Sequence, residues 1–414
     1  MHSRSTSTSQ SRGFARFPEP LRQGTKQPLQ CMLVLTGMPT HRIAVAAAVA
    51  LAAAPSTPTA VAGAQQARSS AVMSDSIRPY SRVTAVRELP SGSVIVSDAG
   101  QSRVELLSPS LQRMVPVTSR DEGPTEFRSA DFLLAAPGNA TQVVDFEGVA
   151  LLEIDPSGAA VRKFPVRKLT SGTRTLSPEI GARDNAGRYY FTGIRPNATP
   201  GAARDSAPLL RWTPTADAID TLTWIRIPVA GLRRSAADSS AMLNARPDPF
   251  EWRDMWTVAP NGRLAVVRGD DYHIDLYEDA RRVVSGPRVQ APRELVSAAD
   301  AARLHADSIS ITTPTGTRTV SNATGALLST HKAYVVTDAP PRVDRDGRIW
   351  VERSRASGTD LVTYDVFDAT ANPVLTVALR NNARTVGFGE GTVYVTHPNE
   401  SGRYKISRGQ LPGR

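Results

Sequence analysis

The chain predicts an all-β fold in which six four-stranded antiparallel sheets are arranged as a ring. Three observations carry this. A turn glycine, one spacer and an apolar or aromatic triplet recur six times, led by Gly92, Gly138, Gly187, Gly262, Gly347 and Gly391. The short steps between these glycines are about 45 residues, the length of one four-stranded blade. Segments with strand patterning flank each copy, and helical patterning is almost absent. A ring of such sheets, a six-bladed β-propeller, leaves only short protected edges.

The strands follow in order. Val83–Leu89, Ala130–Ala136 and Met255–Ala259 precede their glycine turns as inner strands. The triplets after the glycines, such as Gly187-Arg188-Tyr189-Tyr190-Phe191 and Gly347-Arg348-Ile349-Trp350-Val351, are continuously apolar. That is the composition of a strand buried on both faces. Gly138 leads a looser copy, with Val143-Val144-Asp145 set later. Third strands are expected at Arg103–Leu107, Val149–Asp155, Leu209–Trp212, His273–Tyr277, Asp360–Phe367 and Arg403–Ile406. Fourth strands are expected at Arg113–Val117, Val161–Val166, Thr221–Ile227 and Val374–Leu379. The sixth blade runs out of chain after its third strand, and Val72–Tyr80 lies ahead of the first blade without a partner. The economical arrangement makes that segment the missing outer strand.

The division of the chain is then 1–37, 38–64, 65–80 and 81–414. The last range is the propeller, and 65–80 is a linker that includes the ring-closing segment. Residues 38–64 read as an export signal: Arg42, then the apolar run Ile43–Ala54, then the small-x-small site Ala62-Gly63-Ala64. The run is too short to cross a bilayer. Residues 1–37 are Ser/Thr/Arg-rich without pattern and read as a start placed too far upstream. These features predict a periplasmic or extracellular protein with no stable membrane insertion. A single cysteine, Cys31, excludes an intrachain disulfide.

Of the 414 residues 21% are charged and 40% hydrophobic, which is a globular balance. Half of the formal net charge of +10 sits in residues 1–64, where six basic groups face Glu19 alone. What remains is spread thinly, so a nucleic-acid partner is not expected.

The stretch Val94–Pro109, "VIVSDAGQSRVELLSP", resembles the repeat of NHL-type propellers, with Asp98 and Arg103 at the matching positions and Gln101 where asparagine is usual. "DEGPTEF" (Asp121–Phe127) resembles the turn that begins blades in secreted bacterial six-bladed propellers, and "RVDRDGRIWV" (Arg342–Val351) is similar to the same group. The resemblance covers about residues 81–414, with blades 1, 2 and 5 matching best. It implies a fold and an exported bacterial protein. It implies no activity.

Extra length falls in three places: Ile194–Ser206, Val229–Trp252 and Pro292–Thr337. All three lie in loops that share one face of a propeller, and long insertions there suggest a lid. Within the last, Ser297-Ala-Ala-Asp300 is a capping box that opens a short helix. Arg246–Trp256 is the densest aromatic cluster. Trp252, Arg253 and Asp254 are its candidate ligand contacts, with Trp256 expected in the core. His273, Arg353 and His397 join them on the same face. No cofactor is expected for a binding module. A metal enters only with a hydrolase or lactonase alternative, as a calcium-type ion held by separate strands. Its weak candidates are Asp98, Asp145, Glu147, Asp270 and Glu352. No nucleophile-elbow, P-loop or dinucleotide fingerprint is present. The leading expectation is a monomer that binds a protein, peptide or carbohydrate.

Overall fold

In a computed structural model, the described residues are 65–68, 72–119, 127–146, 148–166, 169–171, 174–176, 178–193, 206–228, 248–306, 308–313, 316–321, 329–336 and 339–413. The expected extension and export signal (1–64), Glu147, and most of the first two insertions lie outside them.

The six sheets form a ring of four-stranded antiparallel blades. Inner strands are Val83–Glu88, Phe132–Ala135, Ile180–Arg183, Met255–Val258, Arg342–Val343 and Arg384–Gly389. Blades 1 to 5 then continue outward in sequence order through three further strands, and the sixth through two. The sixth obtains its fourth strand from the beginning of the described chain: Val72–Asp75 pairs antiparallel with Tyr404–Gln410, Val72 opposite Gly409 and Asp75 opposite Ser407. Tyr80 and Tyr404 form a further bridge. The fifth blade carries an additional edge strand, Gln65–Arg68, parallel to Pro373–Leu379. Short hairpins appear at Leu169–Leu176 and at Ser308–Ser321.

The turn glycines explain the repeat. All six have positive φ, between 63° and 87°, a backbone region that costs glycine nothing and other residues a great deal. In blades 3 and 5 an aspartate finishes the turn. Asp184 accepts from the Arg188 amide, the Arg188 Nε and the Tyr190 hydroxyl. Asp344 repeats this with the Arg348 amide, Arg348 Nε and Trp350 Nε1. Burial alone would raise the Asp184 carboxyl, but these donors outweigh it and hold it low. Hairpins between the third and fourth strands of blades 2 and 5, and between the second and third strands of blade 6, use a second device. Asp155, Asp368 and Asn399 each accept two amides and one hydroxyl of their own turn. Such Asx turns pre-shape the chain reversal.

Apolar clusters fill the spaces between neighbouring blades. Trp350, Tyr364 and Phe388 join blades 5 and 6, and Tyr272, Phe367 and Val351 join blades 4 and 5. Polar contacts also cross these seams. Glu88 of blade 1 accepts from the Glu390 amide and the Thr392 and Tyr394 hydroxyls of blade 6. Tyr272, fully buried, donates to Asp365 across 2.6 Å.

The helix of the third insertion spans Ala298–Ala306. Its capping box is formed as the sequence predicts: Ser297 Oγ receives the Asp300 amide, and Asp300 receives the Ser297 amide. Asp300 also meets Lys332 Nζ at 2.9 Å. The insertion is stitched to its surroundings by Lys332 N–H to Glu294, Ala333 N–H to Phe250 and the Val335–Arg353 bridge.

Candidate functional site

Six inner strands running in one direction define a channel with an entry end, where they begin, and an exit end. A cavity of about 530 Å³ lies at the entry end. Arg82, Asp131 and Glu179 immediately precede three inner strands, Arg342 and Arg384 begin two others, and all five line this cavity. A second cavity of about 640 Å³ reaches the exit end at Arg87, Arg183 and Arg345. The two share Phe132, Glu179, Pro340 and Arg342, which makes them one channel.

At the entry, Glu352 is buried. It accepts from the Tyr364 hydroxyl at 3.0 Å and meets Arg384 Nη2 at 3.0 Å. Tyr364 in turn accepts from the Thr385 amide at 3.0 Å. Burial, and then the Glu352 charge, push the Tyr364 hydroxyl far above its usual value, so it stays a donor. Arg342 reaches past blade 6 to the Thr84 carbonyl of blade 1 at 2.9 Å. Burial lowers its pKa, and the nearby Tyr364 and Glu352 partly offset this. On the opposite wall, Glu179 has its carboxyl pushed up by desolvation and then by Asp131. The mouth is therefore divided. Arginines stand on blades 5, 6 and 1, where Glu352 already pairs with Arg384, and the carboxylates Asp131 and Glu179 stand on blades 2 and 3.

The residues singled out from sequence are placed differently. Trp252 lies under the Arg226 guanidinium, 3.8 Å from its ring centre, and Glu251 pairs with the same arginine at 2.7 Å. Asp254 is buried and accepts from Arg226 N–H, Gly269 N–H and Arg268. The aromatic cluster is thus a clasp that joins blades 3 and 4. Of the described residues of this group, Arg253, Asp254, Met255 and Trp256 line the channel, and Trp252 does not. Trp256 is half-buried, lying over Gly181 and donating to Thr192 at 3.2 Å.

His273 sits between Asp271 and Asp275, at 2.5 and 3.3 Å. Arg353 makes a two-pronged contact with Asp365 at 2.5 and 2.6 Å. His397 meets Ser407 at 3.2 Å. These three stand on separate blades and are not brought together.

Of the metal candidates, Asp98 accepts the Ser81 and Arg82 amides, and Asp145 accepts those of Arg128, Ser129 and Gly148. Both carboxylates hold the chain as it enters an inner strand. Asp270 is exposed in a turn, and only Glu352 lines the channel. Among the described residues no three His, Cys, Asp or Glu side chains converge as metal ligands would.

Sequence reasoning passed over Arg342, Arg384, Asp131 and Glu179. A usable signal existed, since a charged residue stands at the threshold of an inner strand in each case. Among the described residues no helix is long and apolar enough to cross a membrane.

No protein-family model matches the chain, and no curated protein matches it in sequence. Solved structures with a similar course include a gluconolactonase from Xanthomonas campestris, 12% identical, covering 85% of this chain and 99% of that one, with a TM-score of 0.42. A member of the duf4221 family from Bacteroides vulgatus is 8% identical over 84% and 97%, with a TM-score of 0.42. A virginiamycin B lyase from Staphylococcus aureus, solved with quinupristin, is 10% identical over 81% and 98%, with a TM-score of 0.38. Likenesses this distant carry nothing about activity, and the six-bladed architecture rests on this chain's own strand pairing.

Proposed function

We propose that the protein is a binding module whose entry mouth takes a small ligand bearing both charges, such as a short peptide with free ends. The supporting observation is the divided mouth: Arg82, Arg342 and the Arg384–Glu352 pair line one side, and Asp131 and Glu179 the other. A guanidinium side suits a carboxylate, and a carboxylate side suits an ammonium group. The export read from residues 38–64 and the NHL-like kinship belong to this proposal, which places an exported monomer outside the cytoplasm.

Thermal unfolding tests it, because a ligand that binds only the native state stabilises it, by about 2.7 kcal/mol at 100-fold excess over Kd. Alanyl-alanine should raise the melting temperature. N-acetyl-alanyl-alanine amide and glucose should not, and Asp131→Asn should weaken the response. Equal stabilisation by the blocked and free dipeptides, or none by either, would sink the reading.

One observation favours the hydrolase alternative: desolvation and then the Asp131 charge push the Glu179 carboxyl up, the direction a general acid needs. That reading requires turnover of a lactone or ester that Glu179→Gln abolishes. It also requires that added calcium raise this turnover.

A further inference from the structure

The exit end of the channel is chemically unlike the entry. Arg87 is near the end of the blade 1 inner strand, Arg183 ends that of blade 3, and Arg345 follows that of blade 5. All three line the 640 Å³ cavity. Alternate blades place them around the axis.

Their hydrogen bonds go to neutral oxygens. Arg87 donates to the Asn139 carbonyl and the Thr141 hydroxyl, Arg183 to the Ala135 carbonyl, and Arg345 to the Glu88 carbonyl. Buried Arg183 Nε has no partner. The carboxylates on the same cavity are engaged or distant. Asp254 pairs with Arg268, Asp344 pairs with Arg348, and Glu179, which lines both cavities, precedes the inner strand whose far end carries Arg183. Arg87, Arg183 and Arg345 therefore share the exit end of the cavity, and none of the three forms an ion pair with a carboxylate among the described residues. The cost is visible at Arg87. Burial, and then the charge of Arg345, lower its pKa to about 10.

We propose that the exit end is an oxyanion site for a multiply charged, phosphate-type group held by Arg87, Arg183 and Arg345. Guanidinium forks converging from three blades match the oxygens of such a group. A doubly charged anion answers three positive charges better than one carboxylate does. This site stands apart from the reading of the entry mouth, which its failure would leave untouched.

Titration calorimetry and thermal unfolding at fixed ionic strength, with inorganic phosphate and with acetate as probes, test the proposal. Phosphate should bind and raise the melting temperature, while acetate should do neither. Arg183→Gln and Arg345→Gln should each weaken phosphate binding at least tenfold, while Arg281→Gln on an outer strand leaves it unchanged. Arg345 is exposed at the rim, so its replacement leaves the fold intact. Without phosphate, Arg345→Gln should melt no lower than the parent protein, because it removes a like charge facing Arg87. Absence of phosphate binding by the parent protein would overturn the site. So would phosphate binding by either of these variants as tight as the parent's, and equal binding of acetate would overturn its phosphate character.

Discussion

Tyr272, Asp365 and Arg353 show how single side chains hold neighbouring blades. The Tyr272 hydroxyl and the Arg353 fork converge on one buried carboxylate, and Thr376 adds a hydrogen bond at 3.1 Å. Tyr272→Phe should cost about 1.5–3 kcal/mol, the range for a hydrogen bond to a charged group. Asp365→Ala should cost more, about 3–5 kcal/mol, because it leaves the Arg353 charge without its counter-ion. Urea denaturation with an unchanged m-value would check both, and equal losses would contradict this ordering. Trp252→Ala is a different case. Its ring packs under Arg226, so the expected loss is that of a cation–π contact, about 0.5–2 kcal/mol. A loss near that of a core tryptophan in the same experiment would place Trp252 in the core. Composition flagged Trp252, Arg253 and Asp254 because aromatic and charged residues crowd together there. It could not say that Arg226, remote in sequence, would cover the Trp252 ring and give its amide to Asp254.

The helix Ala298–Ala306 ties its insertion to the fifth blade through Asp300. Burial pushes this carboxyl up, yet hydrogen bonds from Ser357, Lys332 and Ser297 outweigh that and hold it well below the usual range. A carboxyl depressed in the folded state adds stability that is fully present above its unfolded value, near 4, and is lost as pH falls toward the folded value. The stability difference between the parent protein and Asp300→Asn should therefore shrink as pH falls from about 5 toward 2. Chemical denaturation at several pH values would measure this, and a constant difference would contradict it.

At this scale the second strands were the most legible in sequence, because burial on both faces makes them continuously apolar. Three inner strands were not. Ile180–Arg183 has a glycine beneath Trp256, Arg342–Val343 is two residues long, and Arg384–Gly389 includes two glycines. The fourth strand of blade 4, Arg281–Ser285, is largely exposed and opens with two arginines, so no alternation marked it. The candidate site was less legible than the fold. A channel wall takes one or two residues from each of several blades, and no local stretch of sequence contains it.

For the whole molecule, the closing strand matters most. Val72–Asp75 completes the sixth blade, with Ser407 Oγ donating to Asp75 at 2.5 Å and Ser76 N–H to Ile406 at 2.7 Å. A chain beginning at residue 77 should lose several kcal/mol and expose the Tyr404–Gln410 edge, which invites association. Melting temperature and light scattering would show both effects. An unchanged melting temperature would mean that this strand contributes little to the ring.

The register of that strand also decides how the ring yields to a pull. Val72 lies opposite Gly409, so the chain leading into one strand and the chain leaving the other emerge at the same end of the pair. Tension applied between them loads one rung at a time and peels the strands apart, instead of shearing the whole ladder at once. A clasp that heat or denaturant must melt together with its blade is, under directed force, a zipper. In a force-ramp experiment with handles on either side of this pair, the first event should be a small, low-force opening of the ring, followed at higher force by the blades it had enclosed.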